Sequence, residues 1–181
     1  MSNMPTNTRH QAGLTALYLG IFATVWFSVP AVEQPWRALL VVGSVASMIT
    51  AVLGGVMSGR PRGEGGGAQE RATNRRYLLI VVAEFAAAGL GAVLLAAADR
   101  SEYIPVLVCA VVGLHFFPLA PLLRDPLLRP LGVALCVVAA AAGLVAAFGS
   151  AVSAGRVVGT GAGLLLLGYA VQALVRAYRL A

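Results

Sequence analysis

Residues 77–123 read YLLIVVAEFAAAGLGAVLLAAADRSEYIPVLVCAVVGLHFFPLAPLL. Two apolar runs of about twenty residues, the length needed to cross a hydrocarbon core about 30 Å thick, flank a short polar connection at 99–102. Backbone groups inside a membrane must be satisfied within the protein, and these runs lack the apolar/polar alternation of barrel strands. The stretch therefore predicts two antiparallel transmembrane helices.

The same composition extends over the whole chain. Hydrophobic residues make up 59% of the 181 residues and charged residues 11%, whereas an ordinary soluble domain carries about 25% charged residues. A soluble fold of this size has too little interior to hide so much apolar surface. We therefore predict an all-α polytopic membrane bundle of six transmembrane helices, which forms a single membrane domain over 1–181.

The six predicted spans are separated by one long and four short connections. Short connections make consecutive helices antiparallel neighbours, whereas the glycine-rich segment 58–76 is predicted to be a flexible linker between helices 2 and 3. A phosphate-binding loop is the alternative, but no Gly-Lys-Ser/Thr follows the glycines. The spans lie at roughly 13–30, 37–57, 77–98, 103–123, 128–149 and 155–177.

The basic side chains are all arginine, since the sequence contains no lysine. They flank the apolar runs rather than forming a basic stripe, which argues against nucleic acid and for contacts with membrane lipids. The positive-inside rule places the side with more arginines in the cytoplasm. Both termini and the 58–76 linker are therefore predicted to be cytoplasmic, in a multi-pass protein of the cell inner (plasma) membrane. Ten arginines lie on that side, at 9, 60, 62, 71, 75, 76, 124, 129, 176 and 179, and three on the other, at 37, 100 and 156.

Small residues recur at every fourth position in two of the spans. Such ridges let helix backbones approach closely in a membrane. They pack either within the chain or between subunits of a homo-oligomer, and the sequence leaves both open. The ridges are Gly43, Ser47, Ala51 and Gly55 in the second span and Gly155, Gly159 and Gly163 in the last.

One acid and one imidazole fall inside the spans, Glu84 and His115. An ionisable group there costs about 2.5–3.5 kcal/mol on insertion scales and marks a functional position with a partner. Counting the helix rise places Glu84 about 10 Å and His115 about 12 Å from the cytoplasmic end. The two side chains are therefore predicted to meet. On the third span the small residues Ala87, Ala88 and Gly91 are predicted to face other helices.

Further polar residues fall near the same depth. For Ser47, Thr50 and Tyr18 the favoured interpretation is ordinary: hydroxyls bond to carbonyls of their own helix, and tyrosines anchor at the interface. Cys109 and Cys136 lack metal or redox spacing and are predicted to be buried free thiols. No metal and no cofactor is predicted, because His10 lies outside the spans and leaves His115 without further ligands.

Pro118 and Pro121 follow His115 closely. Each proline removes a backbone donor, so a kink or an unwound turn is predicted there, and broken helices in membranes line cavities. Aromatic side chains are the predicted walls of such a cavity. The predicted substrate-binding residues are Phe116, Phe117, Trp26 and Tyr169.

Part of the chain resembles a group of small uncharacterised bacterial membrane proteins with six helices. The resemblance lies in Tyr103-Ile104-Pro105, in the Gly-Leu-His-Phe-x-Pro-Leu-Ala pattern of residues 113–120, and in a glutamate in the preceding helix. The resemblance covers about residues 77–135. It implies that Glu84 and His115 matter, without implying a reaction.

Three functions remain open from the sequence. In the first, Glu84 and His115 bind a proton and a small apolar or cationic molecule in a carrier or channel. In the second, they are catalytic, with Glu84 protonating an isoprenoid or other lipid in the manner of a membrane-embedded terpene cyclase and His115 or Tyr169 positioning or re-protonating it. In the third, the chain is a scaffold subunit of a membrane complex.

Overall fold

The structure, a computed structural model, describes residues 4–30, 36–58, 68–123, 125–149 and 151–179. They form helices α1 (Met4–Ser28), α2 (Trp36–Ser58), α3 (Ala68–Ala97), α4 (Ile104–Leu123), α5 (Leu128–Ala147) and α6 (Ala154–Arg179). A single 3-10 turn, Ser101–Tyr103, precedes α4. Each of the six helices is long and apolar enough to cross a membrane.

The six predicted spans are confirmed as helices, with two boundaries that differ. Helix α1 begins at Met4 and helix α3 at Ala68, each well before its apolar run. The last nine residues of the 58–76 segment predicted as a linker are therefore helical, as is Ser58 at its beginning, whereas 59–67 lie outside the described residues. Polar residues continue a helix as readily as apolar ones do, so hydropathy does not detect these beginnings.

The chain divides into two compact units, and the single membrane domain expected from the sequence stays a prediction. The first contains α1, α2 and α6 from Gly159 onward, and the second contains α3, α4, α5 and the beginning of α6 up to Val158. Each unit is described by itself.

In the first unit, glycines bring α1 and α2 into backbone contact. A Cβ added to Gly13 would lie 2.8 Å from the carbonyl oxygen of Gly54, and one added to Gly20 would lie 2.8 Å from that of Ser47. Distances this short leave no room for a side chain. Small residues therefore set the separation of the two helices, as expected where helices pack without a hydrophobic driving force.

Phe27 of α1 fills the space between two further glycines of this unit. Added Cβ atoms would lie 3.0 Å from its ring at Gly43 of α2 and 2.8 Å from it at Gly163 of α6. One turn away, Gly159 lies against Pro30. The ridges at Gly43 and in α6 therefore pack within the chain, as one of the two alternatives predicted.

In the second unit, α4 lies between α3 and α5, because it packs against both. Gly113 of α4 and Gly132 of α5 face each other, and a Cβ on Gly132 would lie 2.7 Å from the carbonyl oxygen of Gly113. On the same face of α4, the Cys109 thiol donates to the carbonyl of Leu135 at 3.5 Å. One side of helix α4 therefore packs against α5, and another side packs against α3.

The connections of this unit carry recognisable terminal motifs. Asp99 follows α3 with φ 54°, and the Arg100 N–H donates to the carbonyl of Leu95 at 2.8 Å, which is the 6→1 bond of a Schellman motif. Before α5, the Leu127 N–H donates to Asp125 Oδ1 at 3.1 Å. Before α6, Ser153 Oγ accepts from the Arg156 N–H at 3.3 Å, an N-cap bond. The first two of these bonds belong to the short turns that join α3, α4 and α5 as antiparallel neighbours, and the third lies at the beginning of α6.

Candidate functional site

The register of α3 against α4 is marked by a close contact of Gly91 with the Leu107 side chain. Glu84 lies seven residues before Gly91, about 10 Å along α3, and His115 lies eight residues after Leu107, about 12 Å along α4. Since the two helices are antiparallel, both steps run in the same direction. Helix geometry alone therefore brings the acid and the imidazole to one level.

At that level the two side chains are in contact. His115 Nδ1 lies 2.9 Å from Glu84 Oε2, and the side chains are 10% and 16% exposed, respectively. The contact predicted from depth is thus present, and the functional role of the two residues stays a prediction. We refer to them below as the Glu84/His115 pair.

The contact is close but poorly aligned. Although the two atoms are 2.9 Å apart, the buried Nδ1 makes no hydrogen bond of acceptable geometry. Both observations hold together if the ring plane points its nitrogen to one side of the carboxylate oxygen, since a hydrogen bond weakens steeply as its angle closes. The interaction is therefore a close polar contact without the alignment of a directed hydrogen bond.

The carboxylate of Glu84 also retains unused acceptor capacity. An ionised carboxylate has about four lone-pair sites, and among the described residues only His115 lies within reach of it. A polar group held away from water without its bonds costs about 1–3 kcal/mol. A donor placed at this carboxylate would recover that free energy.

The two aromatic residues that follow His115 lie toward α5. Phe116 is buried with its ring edge-on to His115, the centroids 5.9 Å apart. A Cβ added to Gly132 of α5 would lie 3.2 Å from Phe116 and 3.4 Å from Phe117. Phe116 therefore lies next to both the His115 imidazole and Gly132 of α5, whereas Phe117 lies next to Gly132. Their predicted binding of substrate stays a prediction.

Of the kink or unwound turn predicted at the prolines, the unwound turn is wrong, whereas the kink stays a prediction. Helix α4 continues to Leu123 with Pro118 and Pro121 inside it. Each proline deprives one carbonyl of its usual donor, at Leu114 and Phe117, but the helix accommodates the loss, as membrane helices commonly do. The site is accordingly built on continuous helices.

Helix α3 contributes a narrow contact face. Ala88 and Gly91 are half-buried, as predicted, but Ala87 is exposed, because it lies about 100° around the helix from Ala88. No residue of 78–97 is fully buried. Helix α3 therefore packs along one stripe, and Glu84 lies on that stripe.

The remaining predicted site residues belong to the first unit. Trp26 is buried in α1 and Tyr169 is half-buried in α6. Their assignment to the site of the Glu84/His115 pair stays a prediction.

The ordinary interpretation of the other polar residues is confirmed where it can be measured. Ser47 Oγ donates to the carbonyl of Gly43 and Thr50 Oγ1 to that of Ala46, each at 2.8 Å and within α2. Cys109 is buried and Cys136 half-buried, and both thiols are free. In the part of the chain that the structure describes, no three His, Cys, Asp or Glu side chains are grouped to hold a metal ion.

Two contacts that position the pair were not predicted from the sequence. The Leu107 side chain contacts Gly91 and sets the register of α3 against α4, and Gly132 faces Gly113 and sets the register of α5 against α4. The isolated glycines within apolar helices were the available signal, since such glycines often mark close approach.

Fold and site together define a class of protein. Six apolar helices, with one acid–imidazole contact between two of them, are compatible with a multi-pass integral membrane protein. No protein-family model, curated protein or solved structure matches the chain.

Proposed function

We propose that this protein is a membrane carrier or channel in which the Glu84/His115 pair binds a small apolar or cationic molecule and exchanges a proton. The observation that carries the proposal is the 2.9 Å contact between His115 Nδ1 and Glu84 Oε2 inside two apolar helices. The proposal includes the predicted orientation, with both termini in the cytoplasm of a bacterial cell.

The free-energy cost of the two groups supports a functional role. Each ionisable residue inside a span costs about 2.5–3.5 kcal/mol on insertion, and apolar residues of similar size would pack as well at this helix contact. A pair kept only for stability would gain most from an aligned hydrogen bond, which Nδ1 lacks. An unaligned pair is better suited to changing its partner.

Proton exchange follows from the chemistry of the two groups. An imidazole side chain can accept and release a proton, and its protonated form is a cation that can pair with a carboxylate at the distance found here. A cation bound at Glu84 replaces the imidazolium as the partner of the carboxylate. Binding of the cation then favours release of a proton from His115, which couples the two processes.

The experiment that tests the proposal is identification of the bound molecule. The full chain is purified in lipid discs, and mass spectrometry compares what co-purifies with wild type, with Glu84→Gln and with Glu102→Gln. Glu102 is the matched control, because it carries the same substitution at an exposed position with Arg100 at 3.9 Å as its partner. We expect a specific molecule with wild type and Glu102→Gln that is lost with Glu84→Gln.

Two results would redirect the assignment. Recovery of a lipid together with its chemically altered form would favour the membrane-embedded enzyme. Ordinary phospholipid alone with all three proteins would contradict the binding site and favour the scaffold.

A further inference from the structure

The surface beside the Glu84/His115 pair is apolar and exposed. Phe85 follows Glu84 on α3 with 67% of its surface exposed, and Leu114 precedes His115 on α4 with 59% exposed. Within their own unit, the described residues leave most of the surface of these two side chains uncovered. In a membrane, exposed apolar surface of this kind faces lipid tails.

The depth of the pair places that surface in the hydrocarbon region. Both residues lie about 10–12 Å along their helices from the predicted cytoplasmic end. The pair itself is 10–16% exposed, so the described residues leave a small part of it accessible. Because the residues next to it in sequence, Phe85 and Leu114, are exposed and apolar, a molecule that reaches the pair from this side comes through the lipid and must be soluble in it.

The Glu84 carboxylate favours a ligand that carries a hydrogen-bond donor. Glu84 offers acceptor sites that no described residue fills, and a hydrogen bond to a charged group is stronger than a neutral one. A cation that carries an N–H satisfies both the charge and the acceptor sites. A quaternary ammonium or phosphonium cation satisfies the charge alone.

From these observations, and resting on the proposed function above, we infer that the molecule bound at the Glu84/His115 pair is an amphiphilic amine that arrives laterally from the bilayer. Its ammonium N–H donates to the Glu84 carboxylate, and its apolar chain lies along Phe85 and Leu114. The aromatic ring of Phe85 also offers a face to which a cation is attracted.

A hydrophobic carbodiimide tests both parts of the inference. Dicyclohexylcarbodiimide reaches carboxyl groups through lipid and adds the protonated carboxyl across its C=N bond, with no group leaving. The wild-type chain in phosphatidylcholine discs is treated with it, and mass spectrometry of the peptide that contains Glu84 gives the extent of labelling. The Glu84→Gln variant supplies the background.

Three amines compete with the label. Dimethyldodecylamine, protonated at neutral pH, carries one N–H; dodecyltrimethylammonium has the same chain and charge but no N–H; dimethylethylamine has the N–H without the long chain. We expect dimethyldodecylamine to halve labelling of Glu84 at a concentration about tenfold lower than dodecyltrimethylammonium, the factor that one charge-assisted hydrogen bond supplies. Dimethylethylamine should protect only at still higher concentration, because it buries fewer methylene groups.

The contrary outcomes are distinct. Absence of labelling at Glu84 overturns access from the lipid. Equal protection by the two long-chain cations overturns the donor requirement, and no protection by any amine overturns the class of ligand. In each of these cases the proposed function would still hold if a different molecule co-purified with wild type but not with Glu84→Gln. Recovery of phospholipid alone would contradict both the amine ligand and the proposed function.

Discussion

Glu84 and His115 illustrate how a pair of polar residues is held inside apolar helices. Their separation of 2.9 Å lowers the cost of burying either one, but the unaligned Nδ1 leaves part of that cost in place. A group that is only partly satisfied gains free energy when a ligand or a proton arrives. At the scale of single residues, the same geometry therefore accounts for the tolerance of the pair and supports the proposal that it binds a proton or a ligand.

A double-mutant cycle measures how strongly the two residues interact. We expect Glu84→Gln and His115→Gln to be non-additive, with a coupling free energy of about 1 kcal/mol, because residues in contact within one polar pair typically couple by about 0.5–3 kcal/mol. Reversible unfolding of the four proteins in detergent gives the free energies. Additivity within about 0.3 kcal/mol, as for distant sites, would mean that the contact carries no stability.

The number of residues along each helix predicts the contact between Glu84 and His115, but not which residues of other helices surround it. The rise of a helix is rigid, so depth along two antiparallel helices could be predicted from sequence. Which residues share a face also follows from the turn angle, and Phe117 lies about 200° around α4 from His115. What sequence could not provide was the side of α4 that α5 occupies, because this depends on the contact between Gly113 and Gly132.

At the scale of the helices, glycine sets the distances between backbones. Phe27 contacts Gly163 of α6 and Gly43 of α2, so one aromatic ring fills the gaps left by two missing side chains. Packing of this kind depends on shape, because lipid tails are as apolar as the helix surfaces they would replace. Helix contacts in this protein should therefore be sensitive to a single added methyl group.

Two glycines of α6 allow a matched test. A Cβ at Gly163 would lie 2.8 Å from the ring of Phe27, whereas one at Gly168 would meet nothing within 4 Å. We expect Gly163→Ala to destabilise the protein by about 1–3 kcal/mol through overpacking, and Gly168→Ala to be neutral or to stabilise it by up to about 1 kcal/mol, since alanine is the better helix former. Thermal unfolding in one detergent compares the two, and equal effects would contradict the packing described.

The existence of the six helices could be predicted from length and hydropathy, and their ends only in part. Helix α3 begins nine residues before Tyr77, in the segment 68–76 that has no apolar run. Helix α4 continues through Pro118, where a sequence rule predicts interruption. In both cases the outcome depends on backbone bonding and neighbouring helices, which hydropathy does not report.

At the scale of the whole chain, six helices that all cross a membrane would place the two termini on one side of it. The uneven distribution of arginines, ten against three, predicts that this side is the cytoplasm. With that orientation the Glu84/His115 pair lies in the cytoplasmic half of the bilayer. The exposed loop that contains Glu102 lies on the opposite side.

Cysteine labelling tests this orientation. In a background with Cys109→Ala and Cys136→Ala, we expect Glu102→Cys to react with a membrane-impermeant maleimide in intact cells and Arg129→Cys to react only after the cells are permeabilised. Both positions are exposed, and Glu102 lies directly before α4 whereas Arg129 lies at the beginning of the antiparallel α5, so the length of α4 separates them. Labelling of Arg129→Cys in intact cells, with Glu102→Cys protected, would reverse the orientation.

The most direct test of the central claim, that the Glu84/His115 pair exchanges a proton inside the bilayer, is an infrared difference spectrum of the protein in lipid discs between mildly alkaline and mildly acidic buffer. We predict that wild type and Glu102→Gln both show the ring bands of a histidine that gains a proton on acidification. The contribution of His115 should be absent from His115→Gln, which retains His10 as the other histidine of the chain, and altered in Glu84→Gln. Identical spectra for wild type and His115→Gln would show that His115 takes up no proton and would contradict the account.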